Sequence, residues 1–302
     1  MMNIHTNQDR VLHTVRPLDY KNTCLEEIFL YIDILKNLDI KDINFNIKMF
    51  EKIAPTNHWS ILSDRVREYI DNLNLKIEIT HAPYENSLIL SNGYNKELIE
   101  RTKKAIEVTK ILGAYKMVIH SGISYKNQKY DEDLTIKDNV CFWKEVCEYA
   151  KQNNIILAFE NDVVADDYDK NEIFKPSLKT VNTFVSILKQ EYDNVSICYD
   201  IGHSYIAHND LYLDFMKDII QNISCFHLHN NKGHFDKENT WKNDTHNPCF
   251  DGDIEFEEFF KNLKQVGYNK ELIIESVYRD SGTQLEISIK KDYDYINQLK
   301  QK

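Results

Sequence analysis

The sequence predicts a closed (β/α)8 TIM barrel filling one domain over residues 1–302, and three observations carry that reading. Short β-branched runs alternate with amphipathic stretches, no phosphate-binding glycine loop follows any run, and the last six runs each lead into His, Asp or Glu. Alternation of this kind implies a parallel sheet, and eight repeats without a change of composition favour a barrel over an open doubly wound sheet. Such barrels reach about 250 residues or more as one unit, so the 302 residues fit.

In chain order, the strands expected are Val11–Val15 (VLHTV), Asp42–Ile47 (DINFNI), Lys76–Thr80 (KIEIT), Lys116–Ile119 (KMVI), Ile155–Phe159 (IILAF), Val195–Tyr199 (VSICY), Ser224–Leu228 (SCFHL) and Glu271–Ile274 (ELII). Helical periodicity places the intervening helices near residues 24–37, 58–73, 95–113, 132–153, 177–192, 210–221, 254–266 and 284–300. Neither GxGxxG nor GxxxxGK[ST] follows a strand, so the open nucleotide-binding folds lack their signature. One long irregular stretch, Asn230–Asp253, separates the seventh strand from its helix; in a compact domain a loop of that length is functional or mobile.

Composition narrows the function. Apolar residues at 42% and charged residues at 28% are those of a folding globular chain. The net charge of −11, with no basic run, disfavours nucleic acid, which demands a cationic footprint to displace counterions. The six cysteines (Cys24, Cys141, Cys147, Cys198, Cys225, Cys249) have no CxxC spacing, and neither a signal peptide nor a membrane-length apolar stretch is found. A reduced, cytoplasmic protein with mostly buried thiols is the expectation.

The chemistry is carried by the strand ends, because barrel enzymes build their sites at the C-terminal face. The third strand runs into His81-Ala82-Pro83-Tyr84, the fourth into His120-Ser121-Gly122 and the fifth into Glu160-Asn161. The sixth leads to Asp200-Ile201-Gly202-His203, the seventh contains His227 and meets His229, and the eighth leads to Glu275-Ser276. Period-two alternation puts Val118, Ala158, Cys198 and Ile273 on the same faces as His120, Glu160, Asp200 and Glu275. Since those residues are small or apolar, the polar termini point into the barrel mouth. Imidazoles and carboxylates converging there form a ligand set for Zn²⁺ or Mn²⁺, with Mg²⁺ possible, and a cation would relieve carboxylate repulsion. Asp244 and His246 in the long loop add a further pair, while His5, His13, His58, His208 and His234 are read as ordinary core or surface histidines.

These residues resemble the xylose isomerase-like TIM barrel superfamily, which holds both sugar phosphate isomerases and epimerases and AP endonuclease IV type enzymes. The resemblance spans roughly residues 76–280 through THAPY, VIHSG, LAFEN, YDIGH, HLHNNKG, DTHNPCFDGDI and LIIES. By resemblance to endonuclease IV, His81 and His120 hold a first zinc ion, and Glu160 bridges to a second completed by Asp200, His227 and Glu275. His203, Asp244 and His246 hold a third. By resemblance to the epimerases, Glu160, Asp200, His227 and Glu275 hold one ion, both glutamates move a proton, and His203 touches substrate. The chain departs from the pattern at Asn230, where the family typically has an acid, at Phe250, often a glycine, and in a longer insertion before Asp244. Asp236 competes with Asp244, and His229 shares a strand face with His227 and is read as a supporting residue.

The leading expectation is therefore a divalent-metal-dependent isomerase or epimerase of a small sugar, sugar phosphate or polyol. In it Glu160 and Glu275, on strands spaced around the ring, flank the substrate and shuttle its proton. The alternatives are a trinuclear zinc phosphoester hydrolase and a non-catalytic metal-binding barrel. All three take a small polar ligand, and membrane association is not expected.

Overall fold

The computed structural model describes residues 10–18, 23–84, 88–93, 95–162, 176–208, 219–233 and 244–302. Eight strands close into a parallel barrel: β1 (Val11–Val15), β2 (Asp42–Asn46), β3 (Lys76–His81), β4 (Lys116–His120), β5 (Ile156–Glu160), β6 (Val195–Asp200), β7 (Ile223–Leu228) and β8 (Glu271–Ile274). Every strand pairs with its sequence neighbours, and β8 pairs back onto β1 through Val11 opposite Leu272. A small hairpin, Tyr125–Lys126 with Lys129–Tyr130, stands outside the barrel.

Helices α1 (Leu25–Asn37), α2 (Lys48–Ile53), α3 (Trp59–Asn72), α4 (Lys96–Ile111), α5 (Glu132–Gln152), α6 (Leu178–Leu188), α7 (Ile201–His208), α8 (Phe256–Gln265) and α9 (Gly282–Gln301) follow the strands. Side chains start α4, α5 and α6, where Asn95, Asp131 and Ser177 accept the backbone N–H of Leu98, Leu134 and Thr180, satisfying otherwise orphaned donors. The helix expected near 210–221 falls mostly outside the described residues, as do His5, His234 and Asp236. Sequence periodicity missed α7, because this helix begins directly at the end of β6 and its first turn is capped by Asp200, whose Oδ1 accepts the His203 N–H at 2.7 Å. The strands also run one residue further than expected at His81, His120, Glu160 and Asp200, so these four polar residues are themselves ladder positions.

Inside the barrel, Leu12, Ile79, Val118, Ala158, Cys198, Cys225 and Ile273 form an apolar floor, each with 0% exposure. A larger core joins the outward strand faces to the helices, with Phe45, Phe159, Phe184, Phe226, Trp59 and Trp143 among its fully buried members. All six cysteines are free. No helix among the described residues is long and apolar enough to cross a membrane.

The loops after the strands are fastened by buried amides and acids. Asn139 of α5 accepts the Gly122 N–H and donates to the Gly122 carbonyl, fixing the turn after His120. Asp292 of α9 accepts from the Cys249 N–H (2.7 Å), the Ser276 hydroxyl (2.6 Å) and the Tyr278 hydroxyl (2.8 Å), tying α9 to β8 and to the loop before α8. Burial pushes the Asp292 carboxyl up to about 6 despite those three donors. A carboxyl raised in the folded state binds its proton more tightly there than in the unfolded chain, so its contribution is full below about pH 4 and lost as pH rises through about 6. Urea unfolding of metal-free wild type and Asp292→Asn between pH 4 and pH 7 should show the stability of wild type relative to the variant falling as pH rises. A difference independent of pH would contradict a buried carboxyl that titrates in this window.

Candidate metal centre

Parallel register sets the polar strand ends side by side. His120 pairs with Glu160, Asp200 with His227, and Ile273, two residues before Glu275, also lies opposite His227. All nine positions marked by the sequence converge on the mouth, where their donor atoms lie in overlapping groups, each within 4.8 Å, and three of these groups between them take in all nine. The first contains His81, His120 and Glu160; the second Glu160, Asp200, His227 and Glu275; the third His203, Asp244 and His246, with His229 beside them. Glu160, 1% exposed, is common to the first two groups, its Oε2 3.1 Å from His81 Nε2 and its Oε1 3.1 Å from His227 Nδ1.

Glu160 and Glu275 are not held apart as their strands suggested. His227 Nδ1 lies 3.1 Å from one carboxylate and 3.0 Å from the other. Both glutamates lean inward from strands separated by two others, so the ring spacing of their backbones does not carry over to their carboxylates.

Three histidines have their Nδ1 against a backbone carbonyl: His81 on Ala82 (2.8 Å), His203 on Asn161 (3.0 Å) and His246 on Glu275 (3.1 Å). Such a carbonyl accepts from Nδ1–H and leaves the Nε2 lone pair for a cation, the usual outer-shell arrangement of metal-bound imidazole. For His203 and His246, Nε2 then faces Asp244 Oδ2, at 3.6 Å and 3.2 Å. His120 has a carboxylate instead: its Nδ1 is 2.8 Å from Asp162 Oδ2 and its Nε2 3.5 Å from Glu160. Sequence reasoning missed Asp162, although its place two residues beyond Glu160 was an available signal.

Burial opposes every charge here, yet mutual contacts prevail. The Glu160 carboxyl, which burial would raise, is held well below its ordinary range by His227 and His120. Asp200 is likewise depressed by His203 and His229 against its burial, Asp244 by His246 and His203, and Glu275 by His227 and Arg16. His203 is raised by Asp200 and Asp244 although burial works against it, and His227 by Cys198 and Glu160. The donor set therefore favours ionised carboxylates paired with protonated imidazoles, whose protons a bound cation would replace. Asp244 Oδ1 is buried with no hydrogen-bond partner among the described residues. An unmatched buried carboxylate oxygen inside a triad of hard and borderline donors fits a divalent ion.

His229 plays a different part. Its ring stacks on His246 with centroids 3.7 Å apart and planes 9° from parallel, and it lies within reach of the third group. Its Nε2 instead stands 3.1 Å from both oxygens of Asp200. Gly202 makes room for it, since a Cβ there would meet the His229 ring at 2.0 Å.

Asn230, where the family typically has an acid, donates to the carbonyls of Cys249 and Ile254 and accepts the N–H of Asn231 and Ile254. A carboxylate could not donate, which accounts for the amide. Phe250 lies away from the donors, beneath the Lys291 ammonium of α9 (3.7 Å). The Tyr84 ring stacks on His120 (4.4 Å, 9°), and Arg16 donates to the Glu275 carbonyl with its guanidinium 3.9 Å from Glu275 Oε1. His13 is a hydrogen-bonded core residue and His58 is exposed.

A closed parallel barrel with His, Asp and Glu gathered at the strand ends defines a class, and residues 37–299 match one family within it. The chain belongs to the xylose isomerase-like TIM barrel family. An uncharacterized protein of Methanocaldococcus jannaschii is 24% identical over 295 residues, spanning 93% of this chain and 92% of that one. Among solved structures, the IolI protein with a bound zinc atom superposes with a TM-score of 0.70 at 16% identity, covering 96% of this chain and 97% of its own. The 3-keto-D-glucoside 4-epimerase of E. coli gives a TM-score of 0.66 at 13% identity, covering 95% and 98%. At such identities the structural likeness is one of fold.

A cation that binds the folded state alone stabilises it by mass action, about 2.7 kcal/mol at a hundred times its dissociation constant. Adding zinc to chelator-treated protein should raise the melting temperature, and removing it should lower it again. Melting curves that coincide with and without zinc would count against this centre.

Proposed function

We propose that the chain is a divalent-metal-dependent hydrolase of phosphoesters that works with three ions on a small phosphorylated substrate. One observation carries the reading. Isomerase chemistry on one ion needs Glu160, Asp200, His227 and Glu275, with His203 at the substrate, whereas the fold also gathers His81, His120, Asp244 and His246 into donor groups around them. Buried titratable side chains are costly to assemble, and four more of them argue for more than one ion.

Divalent ions held by these four carboxylates and their histidines would supply Lewis acidity, lower the pKa of water and stabilise charge on a leaving oxygen. The residues do the rest. Glu160 spans the first two groups and sets their spacing. The carbonyl-bound imidazoles of His81, His203 and His246 are locked in orientation, which keeps the donors preorganised. Tyr84, flat on His120, provides an aromatic wall, and Arg16 adds a cation beside Glu275 to meet an anionic substrate. The net charge of −11 argues against long nucleic acid as that anion.

The second reading, sugar isomerase or epimerase, is favoured by the completeness of the four-donor group, in which Glu160 and Glu275 would take and return a proton. The two part at the third group. Replacing both Asp244 and His246 with alanine should lower bound zinc from three ions to two per chain and cut turnover of bis(p-nitrophenyl) phosphate at least about a hundredfold, ~2.7 kcal/mol in barrier. Unchanged metal content, together with solvent proton exchange into a ketose, would instead establish the isomerase.

Glu160→Gln tests what both readings share. It should cost more than about tenfold in turnover, roughly 1.4 kcal/mol, with the circular dichroism spectrum unchanged. A variant that stays fully active would remove Glu160 from the centre.

A further inference from the structure

The third donor group is assembled from two separate pieces of chain. His203 sits in the first turn of α7, whereas Asp244 and His246 lie in the loop that returns after β7. Their spacing must be held to about 0.5 Å for one ion to meet all three. Neither piece is a barrel strand.

One buried side chain touches both. Asn231, 0% exposed, donates from Nδ2 to the Gly202 carbonyl at 3.2 Å, next to His203. Its Oδ1 accepts the Thr245 N–H at 2.7 Å, the Thr245 hydroxyl at 3.2 Å and the His246 N–H at 3.2 Å, between and upon the two loop donors. Its own carbonyl receives the Asp253 N–H at 2.9 Å, closing the loop behind them. An amide donates to one piece and accepts from the other through two separate atoms; ionised Asp lacks the donor and an apolar residue lacks both.

The same contact acts on a backbone that does not hold itself. His246 has φ +47, a left-handed conformation unfavourable for a residue with a Cβ. Oδ1 of Asn231 takes its N–H, and Val277 donates to its carbonyl at 2.6 Å, so the strained residue is clamped from both sides. On the other piece, Gly202 is pressed against the His229 ring and has little room to shift.

We propose that Asn231 is the positioning residue that assembles the third ion site, joining α7 to the Asp244–His246 loop. The inference rests on the three-ion reading. Loss of an outer-shell partner weakens a metal site roughly 10–100-fold. Asn231→Ala, which removes both arms, should weaken the third zinc ion by that factor and leave the first two as in wild type. Asn231→Asp keeps the arm toward Thr245 and His246 and should fall between the two.

The experiment is zinc titration of metal-free wild type, Asn231→Ala and Asn231→Asp against a chromophoric chelator, with folding of each variant checked by circular dichroism. A selective, graded loss of the weakest site supports the inference. Three sites in wild type with an unchanged third site in the variants overturns it, as does equal weakening of all three, which would mark a general structural role. Fewer than three sites in wild type overturns the three-ion reading itself and the inference with it. Should the alanine variant not fold, the aspartate variant alone decides between these outcomes.

Discussion

Four carboxylates meeting at one barrel mouth are the constraint to which the rest of the centre answers. Glu160 and Asp200 are 1% and 0% exposed, and a buried ionised carboxylate without counter-charge costs several kcal/mol. The fold answers with imidazoles rather than with lysine or arginine alone. His81, His120, His203 and His227 all lie within 3.5 Å of Glu160 oxygens. Imidazole can neutralise a carboxylate as a protonated partner or, deprotonated, can share a cation with it. The same side chains thus suit a protonated core and would suit a ligand field with metal, and the opposed shifts of Asp200 and His203 are those of a buried ion pair.

Beneath it, the apolar floor has a specific role. Val118, Ala158, Cys198 and Ile273 fill the barrel directly below the polar ends, so water cannot approach the carboxylates from underneath. Asp200 also caps α7, so one carboxylate serves both as a donor and as the start of the helix that carries His203. Site and scaffold share parts here, which makes the geometry rigid where the strands end.

Much of this was legible in the sequence because strand periodicity has a direct geometric meaning. The alternation behind Glu160 and Asp200 fixed which way those side chains point, and parallel pairing made neighbours of residues distant in sequence. Radial distance was not legible. A strand position says that a side chain faces inward but not how far it reaches, so Glu160 and Glu275 were read as flanking when both reach His227. The short α7 escaped because helical period cannot establish itself over about two turns following directly on a strand. Asn230 was noticed only as a departure from a motif and Asn231 was not singled out, since the value of an amide lies in which carbonyls and N–H groups surround it, and those come from elsewhere in the chain.

The three donor groups differ in what holds them, and that difference has a chemical consequence. Donors of the first two lie at or next to strand ends, where ladder hydrogen bonds fix the backbone; those of the third lie on a short helix and a loop joined by side-chain amides. Sites on strands are more precise than sites on loops. A barrel built this way can keep its strand-held group through large changes in the loop, so one-ion and three-ion chemistry are separated by loop contacts and not by the core. Here those contacts are present: Asn230 pairs with Asn247 as a two-way backbone bridge, Val277 holds His246, and Asp292 holds Cys249. A loop fastened in this way to the segments that follow β7 and β8 and to α9 costs conformational entropy to order, and the proposed ion between His203, Asp244 and His246 would be a physical reason for that order to be maintained.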